Sequence, residues 1–376
     1  MKSAILHITP TVGQGGAERV LSNLLRQQEH LIDHHVLSLL PEEPFFPIPC
    51  ANFDSLRISR RFFSPRALYH LRESVKRLKP SLIHAWLYHG NFSSIFVADF
   101  GIPILWSIHN TTLSPTQSKR TTRLINRLCA ALSNRIPARI VYCSASARNV
   151  HEQLGYQPSR GIVIENGIDL EAFRYDAGDR IRLRLRLGIR DDEFLIGCIA
   201  RFEAQKNHRL VIDAFTRVAR EVSARLILAG NGCTPDNIQL QSWLREFEIQ
   251  NRVLLVGEQR DVSTLLSGLD ALVIGSSFGE ALPLVAIEAA ASGLPLVATN
   301  VGDVASFVLD PMDLIPVDSP ADMTAALLRV RERYRWGGLA HRSTRVRDEL
   351  LKTFSIEVMS QRYWELYQTL GPSSSS

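Results

Sequence analysis

Short runs of apolar, β-branched residues alternate with longer amphipathic stretches along most of the chain. In its first part the short runs are "AILHIT", "HHVLSLL", "LIHAW", "ILWSIH", "ARIVYCS" and "GIVIEN", and amphipathic stretches such as "AERVLSNLLRQQ" lie between them. Strands that alternate with helices form parallel sheets covered on both faces. The pattern therefore predicts an α/β chain built on doubly wound, Rossmann-like sheets.

The alternation stops in residues 169–192, a polar stretch rich in Asp and Arg that we interpret as a linker. It resumes with "FLIGCIA", "HRLVIDAFTRVARE", "ARLILAG", "DNIQLQSWLREFE", "NRVLLVG", "DVSTLLSGL" and "ALVIG". The chain's 376 residues exceed what one hydrophobic core usually organises. We predict domains over residues 1–170 and 171–354, an amphipathic helix over 355–371 that packs one face on a domain, and a disordered tail over 372–376.

The five cysteines are scattered and odd in number, and they form no CxxC pair. This spacing argues against a disulfide framework and against structural zinc. The opening "MKSAILHITPTVG" is too short and too polar for a signal peptide. No stretch reaches the roughly 20 uninterrupted apolar residues of a membrane-spanning helix. We therefore expect a cytoplasmic protein.

The positive charge is concentrated in the first half of the chain. Residues 1–170 hold 19 Lys and Arg against 11 Asp and Glu, a net charge of +8. Two segments, residues 57–79 and 119–139, are strongly basic, and the second contains no acidic residue. Such segments suit anionic lipid headgroups or phosphate-bearing partners, with a solvated helix face as the alternative. We expect an anionic membrane surface as a partner, and no nucleic acid.

A glycine-rich turn follows the first predicted strand, with Gly13, Gly15 and Gly16 before a helix that begins near Ala17. Glycines let the backbone approach a ligand closely, and a helix N-terminus offers N–H groups to a phosphate. The turn is neither a GxGxxG motif nor a Walker loop, so it specifies neither a dinucleotide nor ATP. A tight strand-to-helix turn without a ligand remains the alternative.

Two cations follow the first strand of the second predicted domain. Arg201 and Lys206 share one loop in "ARFEAQKN", at the carboxyl end of that strand. Ligands of doubly wound sheets bind at carboxyl ends, and an Arg–Lys pair suits a diphosphate. Ordinary surface cations would give the same pattern.

Two carboxylates lie within the most apolar stretch of the chain, "GSSFGEALPLVAIEAAASGLPLVAT". Glu280 precedes a predicted helix that ends at Gly293, and Glu288 lies about one and a half turns inside it. Both carboxylates can accept hydrogen bonds from the paired hydroxyls of a sugar or ribose. The N-terminus of this helix, near Leu284, would face a phosphate.

"GSSFG" also matches the GxSxG nucleophile elbow, which predicts a competing serine hydrolase. Asp303 and His341 follow Ser277 in the order that such an enzyme needs. Against this hypothesis, Pro283 keeps a helix from starting directly after the serine, and the second α/β domain is left without a role.

Several histidines lie near predicted strand ends. His109 ends one strand, and His84 ends another, with Trp86 and His89 close behind. His30, His34 and His35 have helical spacing without an HExxH motif, so we interpret them as surface residues. No DxD pair stands where a divalent metal would hold a diphosphate, which favours a site without metal and a protein without a cofactor.

In order along the chain, "GGAER", "SIHNT", "ENGID", "ARFEAQKN", "LAGNG", "LLVGEQRDV" and the stretch from Glu280 to Glu288 resemble the motifs of the retaining glycosyltransferases of family 4. The spacing of the two glutamates is the most specific of these features. The resemblance covers nearly the whole chain and implies two Rossmann-like domains that face each other across a cleft, the GT-B type. It also implies that the last helix crosses back to the first domain.

The resemblance further implies roles for individual residues. Glu288 would hold the ribose, Arg201 and Lys206 the pyrophosphate, and Glu280 the donor sugar. Gly15 and Gly16 would close over the diphosphate. His109, with Glu280, would lie at the reaction centre. His84, Trp86 and His89 are acceptor-side candidates. The turn "ENGID" departs from the family in carrying Glu165 where proline is usual.

The sequence thus predicts a retaining, metal-independent hexosyltransferase at the inner face of a bacterial membrane. Its donor would be a nucleotide diphosphate sugar, with UDP preferred. Its acceptor would be a lipid-linked or other saccharide in the biosynthesis of lipopolysaccharide, capsule or exopolysaccharide. The alternatives are a non-catalytic protein that binds sugar nucleotides, and the hydrolase with Ser277.

Overall fold

A computed structural model describes residues 2–58, 64–111, 119–334, 349–350 and 352–371. The chain divides into two compact units, one formed by residues 1–168 and 353–376 and the other by residues 169–352. These divisions lie within two residues of the boundaries expected from the sequence. None of the described helices is long and apolar enough to cross a membrane.

The first unit is built on a seven-stranded parallel sheet with the strand order β3-β2-β1-β4-β5-β6-β7. The strands are β1 (Ser3–Thr9), β2 (Ile32–Ser38), β3 (Asn52–Ser55), β4 (Leu82–Trp86), β5 (Ile104–Ile108), β6 (Arg139–Tyr142) and β7 (Gly161–Val163). Residues of β4 and β5 are buried throughout because helices cover both faces of a doubly wound sheet. The helices are α1 (Gly16–Gln28), α2 (Pro65–Leu78), α3 (Leu87–Ser94), α4 (Arg120–Leu132) and α5 (Ala145–Gln153).

The last helix of the chain, α12 (Ile356–Leu370), belongs to this first unit. Ser355 caps it by accepting a hydrogen bond from the Val358 N–H at 3.2 Å. Its apolar face is buried, and Gln28 of α1 donates to the Ser360 carbonyl at 2.8 Å. The first unit therefore contains residues from both ends of the sequence.

The second unit has a six-stranded parallel sheet with the order β10-β9-β8-β11-β12-β13. The strands are β8 (Phe194–Ile199), β9 (Ala224–Ala229), β10 (Val253–Gly257), β11 (Ala271–Ile274), β12 (Leu296–Thr299) and β13 (Leu314–Ile315). The helices are α6 (Ala177–Leu187), α7 (His208–Glu221), α8 (Ile238–Glu246), α9 (Val262–Gly268), α10 (Leu284–Ala291) and α11 (Pro320–Tyr334). The two doubly wound sheets confirm the predicted fold class.

The interpretation of residues 169–192 as a plain linker is wrong, because α6 occupies 11 of these 24 residues. Asp176 caps this helix by accepting from the Asp179 N–H at 2.7 Å, and Gly188 ends it with a φ of 62°. Arg184 is buried and bonds to Asp270 at 3.2 Å, which fixes the helix to the second unit. An arginine-rich sequence thus forms a packed helix in which Arg180, Arg182 and Arg184 pair with carboxylates.

The interpretation of the three neighbouring histidines as surface residues is correct for His30 alone. His34 is a buried residue of β2, where Ile32, His34 and Val36 alternate with less buried neighbours, and His35 is half-buried. The residues therefore follow the two-residue period of a strand, and the apparent helical spacing was misleading.

Candidate functional site

The second unit brings a lysine and a glutamate together at the carboxyl edge of its sheet. Lys206 follows β8, Glu280 follows β11, and these two strands are neighbours. The Lys206 ammonium forms an ion pair with Oε1 of Glu280. Ser276 donates its hydroxyl to the same oxygen at 2.6 Å. Because Glu280 is only 7% exposed, the pair is held largely away from water.

Two close backbone approaches fix the loop that carries Glu280. The Ser277 N–H donates to the Gln205 carbonyl at 2.9 Å, which ties this loop to the one that carries Lys206. Gly302, with a φ of 67°, passes so near that a Cβ there would lie 2.2 Å from the Glu280 carbonyl oxygen. The loop geometry therefore requires glycine at this position.

Helix α10 begins beside these two side chains. Pro283 precedes its first residue, Leu284, and no side chain caps this N-terminus. Glu288, one turn into the helix, is 2% exposed. A small recess adjoins the helix start, and its lining includes Lys206, Ser276, Glu280 and Pro283. A cation and a helix N-terminus at one recess are suited to a phosphate.

Arg201 and the buried groups behind the recess complete this part of the second unit. Arg201 is nearly half exposed and forms an ion pair with Glu203 at 3.1 Å. Burial raises the pKa of the Cys198 thiol, which lines the recess, to about 12. Burial, followed by the charge of Lys206, lowers the pKa of His208 to about 4. At neutral pH the buried thiol and imidazole are uncharged, so Lys206 and Glu280 carry the charge of the recess lining.

The glycine-rich turn of the first unit leads from β1 into α1. Gly15 is the N-cap residue of α1, and Gly16 is its first helical residue. The Glu18 carboxylate lies against Gly15, where a Cβ would be 2.1 Å from its Oε2 atom. A ligand phosphate at this helix start would therefore have to displace an anionic side chain.

His109 follows β5 directly, at the carboxyl edge of the first sheet. Its Nδ1 atom is 3.2 Å from Oδ1 of Asn166, and its ring stacks on Trp86 with 5.3 Å between centroids. Its Nε2 atom is shielded from water and has no hydrogen-bond partner among the described residues. Burial lowers the pKa of His109 to about 4, so the imidazole is neutral at pH 7.

The other acceptor-side candidates are placed differently from the prediction. His84 lies in the middle of β4 and uses both ring nitrogens internally, on Tyr367 at 2.8 Å and Ser107 at 2.6 Å. Trp86 is 1% exposed and donates to His7. Neither side chain offers a polar atom to an acceptor, because each is already paired inside the unit. His89, in α3, is half-buried and remains a candidate.

Ser277 is not arranged as a hydrolase nucleophile within the described residues. Its hydroxyl accepts from Asn207 at 2.9 Å and donates to Asp318 at 3.2 Å. His341 lies outside the described residues. Among the residues that the structure describes, no group of three or more His, Cys, Asp or Glu could hold a metal ion.

Sequence reasoning missed two residues that the structure places beside the candidates. Ser276 bonds to Glu280, and the only sequence signal was its position four residues earlier. Asn166 contacts His109 and lies in "ENGID", a motif whose resemblance to the family implied no role for the asparagine.

Comparison with protein families gives two matches that together span most of the chain. Residues 14–172 match Glycosyltransferase Family 4, and residues 193–333 match Glycosyl transferases group 1. The boundary between the matches falls in the segment that contains α6.

Two named relatives match over more than two thirds of this chain. One is N-acetyl-alpha-D-glucosaminyl L-malate synthase of Bacillus anthracis, 28% identical over 71% of this chain and 68% of its own. Another is UDP-Gal:alpha-D-GlcNAc-diphosphoundecaprenol alpha-1,3-galactosyltransferase of Escherichia coli, 23% identical over 77% of this chain and 74% of its own.

Among solved structures, HepE of Anabaena in complex with UDP-glucose superposes with a TM-score of 0.83. The match covers 97% of this chain and 99% of HepE at 19% identity. At that identity the likeness establishes the fold.

Proposed function

Because this chain is a glycosyltransferase that belongs to family 4 and has the GT-B fold, we propose that it moves a hexose or N-acetylhexosamine from a nucleotide diphosphate sugar to a lipid-linked or saccharide acceptor. The donor is a UDP-sugar, and the product belongs to lipopolysaccharide, capsule or exopolysaccharide. The observation that carries the proposal is the Lys206–Glu280 pair beside the uncapped start of α10.

The donor roles follow from the charges at this recess. Lys206, with Arg201, neutralises the diphosphate, and the N–H groups of the first turn of α10, from Leu284 onward, donate to it. Glu280 accepts from hydroxyls of the donor sugar, and Glu288 accepts from the ribose. In the first unit, the start of α1 at Gly15 and Gly16 can accept a phosphate only after Glu18 moves away.

In the proposed reaction the bond between the anomeric carbon and the diphosphate oxygen breaks with its electron pair on the phosphate. The acceptor hydroxyl oxygen bonds to the same face of that carbon, and its proton passes to the departing phosphate. Configuration is retained, and neither glutamate acts as a nucleophile. The lysine and the helix start stabilise the negative charge that grows on the leaving group, so no metal is required.

The acceptor proposal rests on helix α4, since the two relatives are named for acceptors as different as malate and a diphosphoundecaprenol-linked sugar. Leu124 and Leu128 of α4 are 58% and 39% exposed, and Arg120 and Arg127 are exposed beside them. Residues 119–139 contain no acidic residue. Exposed leucines among arginines suit an anionic bilayer, and we propose that α4 docks the enzyme on the inner face of the membrane, where it meets a lipid-linked acceptor.

The donor site is tested by thermal melting of wild type and Glu288→Ala with UDP, GDP, ADP and CMP derivatives, with and without magnesium. One nucleoside diphosphate should stabilise wild type without magnesium, by about 2.7 kcal/mol at 100 times its Kd. It should not stabilise Glu288→Ala. Glu193→Ala removes another buried glutamate of the second unit and should keep the shift. No shift with any nucleotide would contradict the donor site.

Turnover separates the remaining hypotheses. Transfer should persist in EDTA, and NMR of the product should show the anomeric configuration of the donor. Ser277→Ala should retain activity within about threefold, whereas Glu280→Gln should lose about 100-fold. Nucleotide binding without turnover on any acceptor would indicate a non-catalytic binding protein. A large loss of activity in Ser277→Ala, with activity retained in Glu280→Gln, would indicate a hydrolase.

A further inference from the structure

A column of aromatic rings runs from α12 to His109 through the first unit. We define the aromatic column as Tyr367, His84, Trp86 and His109. The Tyr367 hydroxyl is 2.8 Å from His84 Nδ1, and the His84 ring lies 4.4 Å from the Trp86 ring. Trp86 in turn stacks on His109, with 11° between the ring planes. Since Tyr367, His84 and Trp86 are all buried, the plane of the His109 ring is set from inside the unit.

The hydrogen bonds around the column also fix the position of ring protons. Indole can only donate, so Trp86 makes Nδ1 of His7 an acceptor at 3.1 Å. His7 must then carry its proton on Nε2, which it donates to His34 Nδ1 at 2.9 Å. One indole N–H therefore determines the tautomers of two buried histidines.

The same reasoning applies to His109. Oδ1 of Asn166 can only accept, so His109 carries its proton on Nδ1, and its Nε2 lone pair is left without a described partner. A neutral imidazole with a lone pair at Nε2 accepts a hydrogen bond from a hydroxyl group. An imidazolium cannot do so, because both of its nitrogens donate.

We propose that Asn166 and Trp86 are positioning residues for His109: the amide selects the Nδ1–H tautomer, and the indole fixes the ring plane, so that Nε2 accepts from a substrate hydroxyl. This inference rests on the proposed function for the identity of that hydroxyl, which belongs to a sugar. It adds a role for the asparagine of "ENGID" and explains why Trp86 and His84 are buried instead of exposed to an acceptor.

The surroundings of His109 contain few other charges. His84 on β4 and Tyr363 on α12 both lie against Trp86. Both are uncharged at neutral pH because burial disfavours their ionised forms, lowering the pKa of His84 and raising that of Tyr363. Glu165, next to Asn166, forms an ion pair with Arg362 of α12. A new carboxylate at position 166 would therefore act on His109 without a competing unpaired charge in these elements.

The decisive variant is Asn166→Asp, which keeps an acceptor for Nδ1–H and adds a negative charge. The carboxylate raises the pKa of His109, so a protonated imidazole replaces the lone pair at low pH. We expect kcat within about threefold of wild type at pH 9 and at least tenfold lower at pH 6, with the donor KM changed less than threefold. Asn166→Ala should lower kcat about equally at both pH values.

Asn126→Asp is the matched control, because Asn126 is another buried asparagine of the first unit whose Oδ1 accepts a hydrogen bond, from Tyr156 at 2.7 Å. Its pH profile should follow that of wild type. The inference would be overturned if kcat of Asn166→Asp depended on pH as wild type does. It would also be overturned if Asn126→Asp showed the same loss of kcat at pH 6.

A second measurement does not depend on activity. Long-range proton–nitrogen NMR of histidine-labelled wild type, with His109→Gln for assignment, should show His109 protonated on Nδ1. Protonation on Nε2 would overturn the inference. If wild type transfers no sugar, the proposed function fails while this measurement still tests the tautomer. If wild type is active and the tautomer is wrong, the inference alone fails.

Discussion

The carboxyl edges of the two sheets differ in their electrostatics although the sheets share one topology. The edge of the second sheet holds a buried ion pair, Lys206 and Glu280, beside a helix N-terminus. The edge of the first sheet holds the neutral ring of His109, because burial keeps it uncharged at pH 7. One fold therefore presents an ion pair suited to a diphosphate in one unit and an uncharged imidazole suited to a hydroxyl group in the other.

The largest expected effect comes from removing the cation of the charged edge. Lys206→Met takes the positive charge from the diphosphate and leaves Glu280 without its ion-pair partner. We expect kcat/KM to fall by about 10² to 10³, measured by initial rates of sugar transfer.

Arg209→Met is the control for this change, because Arg209 forms an exposed ion pair with Glu246 in the same unit. Exposed ion pairs contribute little to stability, so kcat/KM of Arg209→Met should change less than about twofold. An equal fall of kcat/KM in Lys206→Met and Arg209→Met would show that the charge at the recess has no special role in sugar transfer.

An acid titration should distinguish the two units by stability. In the first unit burial lowers the pKa of His109 and His151 to about 4 and that of His34 to about 3. The unfolded chain binds these protons near pH 6.5, so this stability is complete above pH 6.5 and is lost as the pH falls toward 4. Each histidine with a native pKa of about 4 therefore lowers the free energy of unfolding by roughly 2 kcal/mol at pH 5.

In the described part of the second unit the corresponding buried histidine is His208. Hydrogen exchange measured peptide by peptide at pH 7.5, 6 and 5 should therefore show the first unit losing protection first. Equal loss in both units, or earlier loss in the second, would contradict this prediction.

The smallest expected effect concerns two basic helices, one from each unit. Arg127→Ser in α4 should weaken binding to anionic vesicles about fivefold, since each basic residue near such a surface contributes about 1 kcal/mol. The loss should shrink in 0.5 M salt as the charges are screened. Vesicle sedimentation measures both.

Helix α6 provides the control, because Ile181 and Leu185 are exposed there among arginines. Asp179 pairs with Arg182 on that helix, which reduces its positive charge. Arg186→Ser should therefore leave vesicle binding unchanged. A loss in this variant, without one in Arg127→Ser, would move the membrane contact from α4 to α6.

Most helices and strands could be predicted because their periodicity is clear. The runs "LIHAW" and "HRLVIDAFTRVARE" coincide with β4 and α7. Helix α6 was missed because its many arginines hid a face that packs on α9, although Asp176 and Gly188 are ordinary start and stop signals. The strands β3, β12 and β13 are two to four residues long, too short for a periodic signal.

The candidate site could be predicted only in part. Lys206 and Glu280 were expected at strand ends, but their contact across 74 positions depends on β8 lying next to β11. His84 was expected at the carboxyl end of its strand, but it lies in the middle of β4. A sequence can show that a residue belongs to a strand, but it does not show which groups its ring nitrogens bond to. Tyr367, one of those partners, comes from the other end of the chain.

The position of α12 has a consequence for synthesis on the ribosome. At roughly 5–20 residues per second, about 10–40 s pass between the emergence of Ile168 and that of Ile356. During this interval the β4 side chains that α12 later covers, including His84, lack their partner Tyr367. The first unit to leave the ribosome is thus the last to complete its core. Premature termination within the second unit would release a chain in which neither unit has all of its residues.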